Sequence, residues 1–222
     1  MISIEPLLNF TIDFVKNTLI NAEGGHDWWH TCRVWKTAKI ISESEKADTQ
    51  VVELAALLHD IADAKFNNGD ESLGARMAEN FLQSHNFDTD KTAHIVKIIR
   101  NMSFKGGNGQ SQFSSLEMQI VQDADRLDAI GAIGIARAFN YGGFKNRTMY
   151  DPDIAPQLNM SPSEYRKSLA PTINHFYEKL LLLKDIMHTQ TGKQLAEQRH
   201  EFMEIFLTQF FKEWELALSH EP

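Results

Sequence analysis

The stretch VVELAALLHDIADAKF at positions 51–66 constrains the fold more than any other. It is a run suited to burial, yet it sets His59 directly against Asp60 and places a second carboxylate, Asp63, three residues further on. A buried imidazole or carboxylate is costly unless it is paired, hydrogen-bonded or bound to a metal. Either these groups satisfy one another inside a core, or a charged species sits among them. In both cases other elements must close around the segment.

Those elements read as helices. Leu7, Phe10, Phe14 and Ile20, with Leu8, Val15 and Leu19, predict a first helix over 5–20. A second begins at Asp27, a candidate N-cap, and runs to Ser44 with Val34, Ala38 and Ile41 on one face. A third covers 49–63, and a fourth follows the loop that carries Asp70 and Ser72 as candidate caps. DTDKTAHIVKIIRNM is a fifth, opened by acids and closed by Lys97 and Arg100, as the helix dipole favours. Residues 102–113 are a Gly-rich loop, and GGNG within it lacks the GK[ST] of a phosphate-binding Walker loop. Residues 114–139 return to helix, with Gly131 and Gly134 permitting a break. A second irregular stretch spans 140–162. Ser161-Pro162 then predicts the start of a long helix reaching the late 180s, and Thr191–Ser219 the last one. No run of alternating β-branched residues is sustained. The expected fold is an all-α bundle, one domain over 1–222, with two loops near a site.

Composition narrows the partners. A net charge of -8 and a pI near 5.6 argue against a nucleic-acid polymer or an anionic membrane as general partner, while leaving room for a local basic pocket. The single cysteine, Cys32, allows neither an intrachain disulfide nor a Cys-based zinc site. No apolar stretch approaches the length of a membrane span. The N-terminal MISIEPLLNFTIDF lacks the basic region of a signal peptide, so the expected address is cytoplasmic.

Metal-type ligands cluster in four places: His26 and His30 in GGHDWWHTCRVW, the His59-Asp60 pair, Asp63, and QDADRLDAIGA with Asp123, Asp125 and Asp128. Adjacent helical positions point about 100° apart. His59 and Asp60 can therefore meet on one ion only if partners arrive from neighbouring helices, for which His30 and Asp125 are candidates. Two imidazoles and two carboxylates make a mixed N/O site suited to Mn, Fe, Co, Ni, Zn or Mg rather than to a closed structural zinc. Such an ion, with open positions, supplies what phosphate-ester hydrolysis needs.

The order His30, His59-Asp60, Asp125 resembles the HD-domain superfamily of metal-dependent phosphohydrolases. HDWWHTCRVWKTA, LAALLHDIADAKF and VQDADRLDAIGAIGIARAF carry the resemblance, which extends to YGG at 141–143 and INHFYEKLLLLKDIMHTQTGK at 173–193. It implies a single HD-type helical domain, a divalent ion on His30, His59, Asp60 and Asp125, and cleavage of a phosphoester or phosphoanhydride in a small nucleotide-like substrate, the described relatives being nucleotide pyrophosphohydrolases. Asp63 corresponds to an acidic position that some relatives use to orient or deprotonate water. Asp123 and Asp128 are expected to orient ligands or bond backbone. Phosphate charge calls for cations: Arg33, Lys65, Lys105, Arg126 and Arg147 are the candidates, and His26 is one for substrate or a second ion. Two other readings stay open: a nucleotide sensor without chemistry, and a di-iron oxygenase, whose further ligands would be His26 or His94.

Overall fold

The computed structural model describes residues 4–22, 25–62, 70, 72–102, 113–161, 164 and 167–218. Its helices are α1 (Ile4–Thr18), α2 (Trp28–Glu45), α3 (Thr49–Leu58), α4 (Leu73–Ser84), α5 (Thr89–Met102), α6 (Leu116–Asp128), α7 (Gly131–Phe144), the short α8 (Asn174–Glu178), a 3-10 helix (Leu180–Ile186) and α9 (Gln190–Leu218). No strand occurs among the described residues, so the all-α expectation holds. No described helix is long and apolar enough to cross a membrane.

The apolar run at 51–58 is the centre of the bundle. Every residue of α3 from Val51 to Leu58 is buried, with α1, α2, α5 and α6 packed around it. Burying each of Leu54, Leu57 and Leu58 stabilises the fold by roughly 1.5–3 kcal/mol. Glu53, the charged residue of this helix, is satisfied locally: it accepts from Trp35 Nε1 at 3.0 Å and faces Lys39 Nζ at 3.3 Å. Asp48 starts α3 by accepting from the N–H groups of Gln50 and Val51. Asp27 starts α2 by accepting from the His30 N–H at 2.9 Å.

Three boundaries differ from the sequence expectation. First, α3 stops at Leu58 rather than running to 63, with His59 as its C-cap. The His59 ring donates from Nδ1 to the Ala56 carbonyl at 2.8 Å and so satisfies one of the carbonyls a helix end leaves open. Second, α6 and α7 are separated by a tight turn at Ala129–Ile130, and α7 continues to Phe144 instead of ending at 139. Gly131 has φ +74° at this corner, and a Cβ on Gly134 would overlap the Ala129 carbonyl. Third, no single helix joins Ser161 to the late 180s. Ser161 and Glu164 do form a capping box, N–H to Oε2 at 2.8 Å and Oγ from N–H at 3.3 Å. Residues 168–173 are not α-helical, however, since Pro171 disfavours helical geometry before it. The Thr172 and Ile173 N–H groups bond the Thr148 and Met149 carbonyls instead.

Candidate metal centre

Four short segments deliver the candidate ligands. His30 lies in the first turn of α2, placed by the Asp27 cap; His59 and Asp60 follow α3; Asp125 and Asp128 close α6; His26 precedes α2. Two groups of three residues each offer ligand atoms within 4.8 Å of one another: His30, His59 and Asp125, and His26, His30 and Asp60. His30 belongs to both. Its Nε2 lies 3.5 Å from Asp125 Oδ1 and 4.0 Å from Asp60 Oδ2. The structure therefore brings together His30, His59, Asp60 and Asp125 from three separate parts of the chain.

The hydrogen bonds decide which nitrogens face the site. His30 Nδ1 lies 2.8 Å from Asp128 Oδ2, and His59 Nδ1 lies 2.8 Å from the Ala56 carbonyl oxygen. Both partners are acceptors, so Nδ1 carries the proton in each ring and the Nε2 lone pair is left for the cluster. His59 Nε2 is buried and has no hydrogen-bond partner among the described residues. An orphaned buried acceptor of this kind beside an imidazole and two carboxylates fits a bound cation. Burial would raise the Asp60 carboxyl, but the hydrogen bond from His26 Nδ1 at 2.6 Å and the fields of His59, His26 and His30 outweigh it and hold the group at about 2. It is anionic throughout the neutral range, as holding a cation would require.

Asp128 is the organising carboxylate behind His30. Only 4% exposed, it accepts from His30, from Arg33 Nε at 2.6 Å and Nη2 at 3.0 Å, and from Arg137 Nη1 at 2.6 Å. Burial alone would raise its pKa, but these donors hold it well below the usual aspartate range.

Comparison with known proteins agrees with this geometry. The HD domain family matches residues 28–130. Bacillus subtilis (strain 168) YpgQ is 40% identical over 203 residues, covering 90% of each chain. The chain belongs to the HD-domain superfamily. A crystal structure of an HD-superfamily hydrolase from Bacillus thuringiensis superposes with TM-score 0.78 at 45% identity, over 96% of this chain and 99% of that one. The structure of YpgQ in complex with ADP gives TM-score 0.77 at 35% identity, over 96% and 97%.

Within this HD frame the other expected site residues that are described have definite places. His26 sits on Asp60. Arg33 grips Asp128, and the two also line a cavity of about 490 Å3 with Trp29, Lys36 and Arg199, in which none of the four candidate ligands takes part. Arg126 donates to the Ile186 carbonyl at 2.8 Å and reaches Asp123 at 3.4 Å; its burial lowers its pKa, while the Asp123 and Asp125 charges oppose the shift. Arg147 donates to the Ser168 carbonyl at 2.7 Å and lies over the Tyr141 ring, away from the four candidate ligands. Asp63, Lys65 and Lys105 fall outside the described residues. Asp123 accepts from the N–H groups of His188 and Thr189 and from the Thr189 hydroxyl, and so holds the start of α9 rather than the cluster. His94 bonds Ser115 at 2.9 Å and faces Glu117 at 3.6 Å, in neither ligand group. Sequence reasoning missed Arg137: as one arginine in an ordinary helical pattern, it carries no local signal.

Proposed function

We propose that this HD-superfamily protein is a divalent-metal phosphohydrolase that cleaves a phosphoester or phosphoanhydride bond in a small nucleotide-like substrate, in the manner of a nucleotide pyrophosphohydrolase. The observation that carries the proposal is the convergence of His30 and His59, each with Nδ1 committed elsewhere, on Asp60 and Asp125, with His59 Nε2 buried and unpartnered. These four residues would hold the ion. Bound there, a divalent ion supplies Lewis acidity towards a phosphoryl oxygen and lowers the pKa of water. The chain's own residues set the stage. Asp128 keeps His30 in one tautomer and orientation, the Ala56 carbonyl does the same for His59, and His26 steadies Asp60. Asp63 is assigned to aligning the water, and Lys65 and Lys105 to offsetting charge on the departing phosphate. The complex of the similar YpgQ with ADP supports a nucleotide substrate.

The test is turnover of a nucleotide panel by purified protein with Mn or Co, with orthophosphate distinguished from pyrophosphate among the products. Asp60→Ala should abolish turnover. Unchanged turnover in that variant, or none by the metal-loaded parent, refutes the proposal. Ligand bound tightly and recovered intact would favour the sensor. Iron retained on purification, with an anaerobic spectroscopic signature, would favour the oxygenase, for which His26, already beside His30 and Asp60, offers a further ligand.

A further inference from the structure

Arg137 stands on α7, a helix that contributes no candidate ligand, and outside the 28–130 stretch that matches the HD family. Its guanidinium reaches in two directions. Nη1 donates to Asp128 Oδ2 at 2.6 Å and to the Asp128 carbonyl at 3.1 Å, and Nη2 donates to the Gly25 carbonyl at 2.6 Å. Each end of this bridge leads to a ligand. Asp128 holds His30 through Nδ1, while Gly25 is covalently joined to His26, whose Nδ1 holds Asp60. His30 and Asp60 come from different segments, and their facing atoms are 4.0 Å apart.

We propose that Arg137 is a positioning residue that ties the Asp128–His30 arm of the metal cradle to the His26–Asp60 arm, fixing the separation of the two ligands. This rests on the reading of the cluster as a metal site. The fold is built to put the guanidinium there. Its side chain keeps a quarter of its surface exposed, yet both its Nη atoms are engaged by two residues, Asp128 and Gly25, separated from it by 9 and 112 positions. The planar fork suits such a bridge; a lysine ends in a single ammonium and lacks the two separate Nη atoms that take one acceptor each. The glycine-dependent corner at 129–134 separates α6 from α7, and across it Arg137 reaches Asp128. Arg33 makes a contrast inside the same network: it grips Asp128 equally well, but none of its hydrogen bonds goes to the 25–26 segment. Removing Arg33 should loosen one arm, and removing Arg137 both.

The experiment compares Arg137→Ala, Arg137→Lys and Arg33→Ala in two measurements. Histidine side-chain NMR of the metal-free protein reads the arms directly: Arg137→Ala should shift the imidazole resonances of both His26 and His30, and Arg33→Ala those of His30 alone. Calorimetric titration with Mn should show affinity lowered about ten- to a hundred-fold in Arg137→Ala, the range common when a group supporting a metal ligand is lost, with Arg137→Lys recovering only part. If Arg137→Ala does not fold, Arg137→Lys carries both measurements, because it breaks the bridge while keeping the charge. Unmoved His26 resonances, or parental Mn affinity in a folded Arg137 variant, overturn the proposal. Absence of Mn and Co binding by the parent overturns the metal reading itself, whereas the NMR comparison still decides whether the bridge exists.

Discussion

Asp128→Asn is the perturbation whose outcome the structure specifies most fully. The carboxylate is 4% exposed and takes hydrogen bonds from an imidazole and two guanidinium groups. Asparagine has nearly the same shape, but it can accept through one atom only, and its amide would turn a donor towards another donor. Removing one partner of a buried charged network costs about 3–5 kcal/mol. Arg33 and Arg137 keep 37% and 25% of their side-chain surface, so water can take up part of the lost pairing. The expected loss is therefore roughly 2–3 kcal/mol, equivalent to a fall in Tm of about 4–12 °C for a chain of this size. Urea unfolding with EDTA present measures it without a metal contribution. The pH dependence gives the sign. Burial opposes ionisation, but the bonds from His30 and Arg33, with the fields of His30 and Arg137, hold the folded carboxyl below its unfolded value. Its contribution is thus present above the ordinary aspartate range, near pH 3.9, and is lost as pH falls through the folded value. The gap between parent and variant should be steady near neutrality and narrow below about pH 4. A loss under about 1 kcal/mol, or a gap that widens on acidification, would refute the account of Asp128 as a charged anchor.

Two further substitutions separate function from scaffold. His59→Leu deletes the orphaned Nε2 and fits the apolar end of α3. It should abolish Mn binding by calorimetry while changing metal-free stability by no more than about 1 kcal/mol, because the lost Ala56 bond is offset by relief of the unpaired acceptor. Asp123→Ala should do the reverse. It leaves the His188 and Thr189 N–H groups without their acceptor and should cost roughly 2–4 kcal/mol in urea unfolding, with Mn affinity in the surviving folded protein unchanged.

Much of this was legible in the residues. Asp27 and Asp48, the apolar spacing of α2 and α3, and the His30, His59-Asp60, Asp125 order are local or linear signals. A cap bonds an N–H two or three residues away, and a helix face repeats every three or four. The errors have two sources, a side chain that caps its own helix early and a distant backbone pairing that replaces a helix. The third helix looked continuous to 63 because propensity favours it, yet the His59 ring turns back to Ala56 and ends it at Leu58. The long helix after Ser161 ignored Pro171 and the pairing of Thr172 with Thr148.

The sequence by itself determined the helical class and the kind and order of the candidate ligands, since those depend on residue type and short-range periodicity. Only the tertiary structure decided that Nε2 of both His30 and His59 faces the site, and that Arg33 is spent on Asp128. It alone joined Arg137 to Gly25 across 112 positions. The physical reason is one of distance along the chain. A hydrogen bond between residues so far apart leaves no periodic trace, and it exists only once the packing of α2, α6 and α7 has brought donor and acceptor together.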